Sequence, residues 1–249
     1  LADKALSSKN LSLIEVFKMI PNLKLIDLTH ALHPQIPCWE GGCGFRQKIK
    51  VDYEACQTLT KFRVYEISMQ AGIGTHMDAP AHCFPGAISM ADIPLEQLFS
   101  PAVVIDVSSK ANESYLIRVE DIFAFEARHG EIPPKSFVIF YTGWDKFWSQ
   151  PEYYRNQQRF PSVSAETAEL LLVREISGLG IDTLSPDCGA SDFPVHQIIL
   201  GAGKYIVENI ANASQLPAVG AYVLALPIKI AEGTEAPVRL VGFLDQEML

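Results

Sequence analysis

Apolar residues recur along this chain in two rhythms, and those rhythms divide it into elements. Helical spacing comes first: Leu13, Ile14, Phe17 and Ile20 share one face behind an N-cap at Asn10, and Pro21 closes the segment. The same spacing returns over residues 119–128, where Ile122, Phe123 and Phe125 precede a His129-Gly130 stop. Ser164, with Glu166 in the first turn, opens a third helix carrying Ala168, Leu171, Leu172 and Ile176. Residues 94–98 and 194–200 suit single helical turns. Short apolar runs at 103–107, 137–141 and 180–184 predict buried strands, 23–28 reads as a further short strand, and 62–69 alternates as a strand should. Residues 221–230 and 238–243 close the chain as two more strands, separated by a turn over Glu232-Gly233-Thr234-Glu235-Ala236-Pro237. Residues 34–44, rich in Pro and Gly, read as a loop, and 145–161 as an irregular aromatic surface excursion. Strands alternating with a few helices predict an α/β fold with a mixed sheet. No repeat or linker divides the chain, so one domain over residues 1–249 is the simpler organisation.

Composition narrows the function without naming it. Of 249 residues, 48% are hydrophobic and 20% charged, enough for a sizeable core. The net charge of −9 argues against nucleic acid or an anionic membrane surface as partner. No apolar run reaches the roughly 18–20 residues a membrane span needs. The five cysteines are odd in number and scattered, which suits thiols in a reducing, cytoplasmic compartment. Because the chain begins at Leu1, a removed signal peptide stays open. Cys38 and Cys43 could form half a zinc site, but no second pair follows.

Chemistry concentrates after the strand at 62–69. Gly72 and Gly74 punctuate a turn, and His76, Asp78 and His82 follow it closely. If His76–Asp78 is extended, both side chains share one face. Pro80 stiffens the segment that delivers His82. Such a group suits a metal site with an acid/base residue beside it; it equally suits a loop whose polar residues satisfy one another. A second cluster holds Asp182, Asp187, His196 and Glu208, the last in apolar surroundings where a carboxylate needs a partner, metal or salt bridge. His129 suits a helix C-terminus. His30 and His33 fit capped turns or a pocket wall, and Trp39 either core or an aromatic wall. A Cys188–His pair would have to meet in space to act. The chain carries no nucleophile elbow, Walker loop or dinucleotide fingerprint.

Gly74-Thr75-His76-Met77-Asp78-Ala79-Pro80-Ala81-His82 resembles the signature His-x-Gly-Thr-His-x-Asp-Ala-Pro-x-His of the metal-dependent cyclase/hydrolase family, which includes bacterial kynurenine formamidase and isatin hydrolase. The likeness extends to Ile26-Asp27-Leu28-Thr29 with Pro37 and Trp39, to Val104-Ile105-Asp106-Val107, to Tyr141-Thr142-Gly143-Trp144 and to residues 180–187. It covers roughly residues 24–245, leaving residues 1–22 as an N-terminal helical extension. The resemblance implies a swivelling β/β/α-type α/β fold, a homo-oligomer (dimer or tetramer) and a small-molecule substrate. It further implies metal ligation by His76, Asp78, His196 and Glu208, proton transfer by His82, and a pocket near Trp39 and Thr75. The implied reaction is hydrolysis of a small amide, cyclic amide or ester by metal-activated water, with zinc the first expectation and manganese the second. One departure matters. The signature's first histidine falls on Gly72, so one ion is expected more readily than two, with Gln70 as the candidate replacement ligand. That substitution also opens the alternatives of a metal-impaired binding protein and of a cyclase or dehydratase.

Overall fold

The structure, a computed structural model, describes residues 23–41 and 44–245; the helix expected over residues 10–20, and Cys43, lie outside that range. Its strands begin with β1 (Leu23–Asp27), β2 (Arg46–Val51), β3 (Val64–Ser68), β4 (His76–Asp78), β5 (Phe99–Asp106) and β6 (Leu116–Ile117). They continue with β7 (Phe137–Tyr141), β8 (Ser162–Val163), β9 (Gly178–Ile181), β10 (Tyr205–Glu208), β11 (Ala221–Pro227) and β12 (Glu235–Asp245). The helices are α1 (Leu95–Leu98), α2 (Val119–His129), α3 (Pro151–Arg155), α4 (Ala165–Val173) and α5 (Pro194–Gly201). No helix among the described residues is long and apolar enough to cross a membrane.

The expected mixed-sheet α/β architecture is the one that forms. Strands β5, β7, β9 and β10 run parallel, and α2, α4 and α5 supply the crossovers that parallel neighbours require. Antiparallel β4, β12 and β11 then lead from β10 back to β5, closing seven strands into a ring, while β1 pairs along the far side of β12.

Period-two alternation gives the sheet two cores. Ala102, Val104, Phe137, Ile139, Tyr205 and Val207 pack inside the ring. Their neighbours Val103, Ile105, Val138, Phe140 and Ile206 pack outward against helix residues such as Ile122, Leu171 and Ile199. β9 keeps Leu179 and Ile181 for the outer core and has glycine at both inward positions. A Cβ on Gly178 would lie 2.7 Å from the Tyr205 ring and one on Gly180 2.8 Å from Phe137, so those two stacked rings take the room.

Three expectations need correcting. Residues 145–161 are no mere surface excursion: Tyr154 and Phe160 are fully buried with Trp144 and Leu184, and the Trp144 indole N–H donates to the Tyr154 carbonyl at 2.8 Å. β2, which pairs with β3 in an exposed hairpin, was not anticipated. The last strand starts at Glu235, because Pro237 still uses its carbonyl in the ladder, accepting from Ile228 N at 3.1 Å. That extension puts Glu235 on a strand instead of in a turn.

Candidate active site and metal centre

β4 is three residues long, and its parity builds the site. Met77 is fully buried inside the ring beside Val207 and Ala236, which sends His76 and Asp78 to the opposite face. Antiparallel register sets Glu208 of β10 directly across from His76 and Glu235 of β12 directly across from Asp78. Opposed residues share a face with Cβ atoms about 4.5–5.5 Å apart. Three strands thus bring four ionisable side chains together.

His196 joins them from α5. The Asp187 carboxylate satisfies the first turn of that helix, accepting from Val195 N at 3.1 Å and His196 N at 3.0 Å. It also accepts from His196 Nδ1 at 2.7 Å. His76 makes the equivalent bond to the Gly74 carbonyl, 2.9 Å from its Nδ1. With both Nδ1 atoms engaged, each ring turns its Nε2 toward the carboxylates, the arrangement that orients metal-ligating histidines.

The distances support a cation. His76 Nε2 lies 3.5 Å from Asp78 Oδ1 and 3.3 Å from Glu208 Oε2. His196 Nε2 lies 3.6 Å from Asp78 Oδ2 and 3.4 Å from Glu208 Oε1. These are close to the ~3.4 Å edge of a tetrahedron with bonds of about 2.1 Å. Asp78 Oδ1 and Glu208 Oε1 are buried without a hydrogen-bond partner, a costly state for a carboxylate unless a cation meets it. Burial, then the Asp78 charge, pushes Glu208 above its ordinary range. Burial alone would lower His76 and His196, yet the facing carboxylates hold both above the usual imidazole value. The residues therefore fit a divalent ion.

His82 stands beside this group on a short 3₁₀ turn, its ring centroid 6.1 Å from that of His196. Its Nδ1 is 3.4 Å from Glu235 Oε2, and this carboxylate holds the imidazole above its ordinary pKa. A cavity of about 580 Å³ takes in His76, Asp78, His82, His196, Glu208 and Glu235, with Trp39 and Phe193 also on its wall. Those two aromatic rings lie 5.8 Å apart, and Phe193 meets His196 edge-on.

Other expected site residues sit elsewhere. Thr75 does not line the cavity: it is buried, accepting from His30 N at 3.0 Å and donating to the Asn209 carbonyl at 2.6 Å. Gln70 does reach the cavity wall but is exposed and folded against Gly44. The space in front of Gly72 belongs instead to Glu235, whose Oε1 would be 2.0 Å from a Cβ built there. His30 is stacked on Trp148 at 3.8 Å, and burial lowers its pKa to about 4. Glu235 is the residue that sequence reading missed. The signal was present: Leu240, Val238 and Ala236 are buried at every second position, and carrying that alternation back one residue turns Glu235 toward the site.

Comparison with known proteins identifies the family. Residues 26–188 match the profile of the cyclase family, described as "Putative cyclase"; the chain belongs to that family. Isatin hydrolase of Roseibium aggregatum is 32% identical over 186 residues, 69% of this chain and 71% of its own. Kynurenine formamidase of Salinibacter ruber is 27% identical over 227 residues, 88% of this chain and 97% of its own. The structure of isatin hydrolase A from Ralstonia solanacearum superposes with a TM-score of 0.85 at 29% identity, covering 97% of this chain and all of that one.

Proposed function

We propose that this member of the cyclase family is a metal-dependent hydrolase of a small aromatic or cyclic amide or ester. One observation carries the reading: two imidazole Nε2 atoms and two buried, unpartnered carboxylate oxygens converge in a cavity with an acid/base histidine at their side. The activities named for the relatives, isatin hydrolysis and formamide hydrolysis, support the amide class. The Trp39–Phe193 wall supports a flat, aromatic substrate.

A divalent cation held by His76, Asp78, Glu208 and His196 would supply Lewis-acid activation of water and of the scissile carbonyl. The protein's own residues do the rest. Asp187 and the Gly74 carbonyl lock the two ligand rings in the tautomer that leaves Nε2 free. His82 takes the proton from the attacking water and returns it to the leaving nitrogen or oxygen. Glu235 Oε2 steadies its ring through Nδ1. Zinc is the first candidate and manganese the second, since His and carboxylate ligands accept both.

The test is to load purified protein with zinc or manganese and assay isatin, N-formylkynurenine and simple aryl amides. At least one should be hydrolysed. His82→Ala should lose ~10²–10⁴-fold of that rate while keeping its metal. Unchanged kinetics in the variant, or a protein that takes up neither metal, would overturn the reading. We further propose a homo-oligomer. Ile49, Val64, Tyr65 and Ile67 are exposed on the β2–β3 hairpin, and a two-stranded hairpin alone is marginally stable in water. A second copy would cover it, and light scattering on eluted protein would read the mass.

A further inference from the structure

Glu235 makes two approaches at once. Oε2 faces His82 Nδ1 at 3.4 Å. Oε1 faces the other way, into the space in front of Gly72, where a built Cβ would lie 2.0 Å from it and 3.3 Å from His76 Nε2. Position 72 thus opens directly onto the metal-type cluster, and the carboxylate of another strand fills the opening. Glycine is there for room: unlike Gly74, whose φ is 63°, Gly72 has no left-handed backbone to accommodate. The register makes the approach stable, since Glu235 is the cross-strand partner of Asp78. Asp78, His82 and Glu235 can each offer an atom within 4.8 Å of the others. Asp78, whose Oδ1 is buried and without a hydrogen bond, belongs to this group. Two carboxylates opposed on adjacent strands repel each other, and a shared cation is what turns that juxtaposition into a bond.

We infer that Glu235 is a metal ligand of this protein, delivered by β12 into the space left by the missing side chain at position 72. The inference rests on the metal-hydrolase reading and deepens it: one carboxylate links the ion, through Oε1, to the acid/base residue, through Oε2. The ligand set is rewired across strands, and Gly72 and Glu235 form one unit, neither compatible with a bulky partner. This assigns the donor expected of Gln70 to a different residue, 165 positions away in numbering yet adjacent in space.

The experiment measures metal affinity, not turnover. Zinc binding is titrated against a chromophoric chelator, manganese binding by the loss of its free-ion electron paramagnetic resonance signal. Glu235→Ala should weaken binding by at least ~100-fold, since outer-sphere partners alone account for about 10–100-fold. Glu235→Gln, which keeps an oxygen donor, should lose less. Gly72→His alone should also weaken binding, because the imidazole would have to displace the carboxylate. Gly72→His with Glu235→Ala should recover to within about tenfold of wild type, reversing the sign of the first substitution. Melting temperatures in chelator check that each variant is folded; if the double variant is not, the Glu235→Ala and Glu235→Gln affinities decide. Glu235→Ala binding as tightly as wild type would overturn the ligand role while leaving the metal-hydrolase reading intact. Wild-type protein that binds neither ion would overturn both.

Discussion

Asp78 and Asp182 are both fully buried aspartates, and the protein treats them in opposite ways. Asp182 accepts three hydrogen bonds: Thr142 N at 2.9 Å and Thr142 Oγ1 at 2.7 Å on Oδ1, and Trp144 N at 2.9 Å on Oδ2. Its neighbourhood is ordered in the same way, with the single Tyr154 hydroxyl proton shared between the Asp182 carbonyl at 2.8 Å and Asn209 Oδ1 at 2.9 Å. Asp78 Oδ1 has no hydrogen bond at all, and its near neighbours are imidazole nitrogens beyond hydrogen-bond range and another carboxylate. Burial is the same; the accounting of donors is not. A carboxylate whose lone pairs are met by backbone and hydroxyl groups belongs to the framework, whereas one left among Nε2 atoms is built for something the chain does not contain. The two clusters meet at consecutive residues, since Glu208 belongs to one and Asn209 to the other.

Substitution should separate them by the size of the stability change. Asp78→Ala is expected to remove metal binding and to cut hydrolysis by more than about 100-fold. In chelator it should move the urea midpoint only slightly, because Oδ1 has no hydrogen bond to lose and the burial cost it relieves offsets the loss of the imidazoles that hold its charge. Asp182→Ala should do the reverse: three buried donors lose their acceptor, and the midpoint should fall by the equivalent of roughly 3–5 kcal/mol. Metal-free Asp78→Ala that unfolds as readily as Asp182→Ala would erase the distinction.

A pH series sharpens it further. Burial raises the Asp182 carboxyl to about 6, its hydrogen bonds opposing only part of that shift, against about 3.9 in an unfolded chain. The native state therefore binds the proton more tightly. This residue's contribution is fully present below the unfolded value and is lost as pH rises through about 6. The stability gap between wild type and Asp182→Ala should narrow by roughly 2 kcal/mol from pH 4 to 7. Urea melts at both pH values check the direction.

Much of this was legible in the residues because two periodicities carried it. The apolar run at 137–141 marked β7 to the residue, and Ser164 announced α4, accepting from Thr167 N at 3.2 Å as an N-cap should. His76 and Asp78 were candidates from a motif and His196 and Glu208 from a second cluster and the family resemblance; the approach of Glu208 to His76 depends on register that no local pattern encodes. Glu235 was missed because Gly233 and Pro237 read as turn punctuation, while the strand continued through Pro237 on its carbonyl alone. Thr75 was misjudged for the opposite reason. Adjacency to His76 suggested a shared pocket, but consecutive residues entering a strand face opposite ways.

That last pair offers the finest test of the division between clusters. Thr75 and His76 are covalent neighbours, yet Thr75 ties the backbone at His30 and Asn209 while His76 Nε2 faces Asp78 and Glu208. Thr75→Val keeps the shape and removes the hydroxyl. The His30 N–H and the Asn209 carbonyl then stay buried without this partner, a loss of about 1–3 kcal/mol in chelator. Bound metal per chain should stay at the wild-type value, because His76 Nδ1 is held by the Gly74 carbonyl, which Asn209 Nδ2 still engages at 2.8 Å. His76→Ala should show the mirror image, with metal lost and apo stability kept. If Thr75→Val instead sheds metal at unchanged stability, the framework cluster is part of the site, and the boundary between the two lies one residue earlier than drawn.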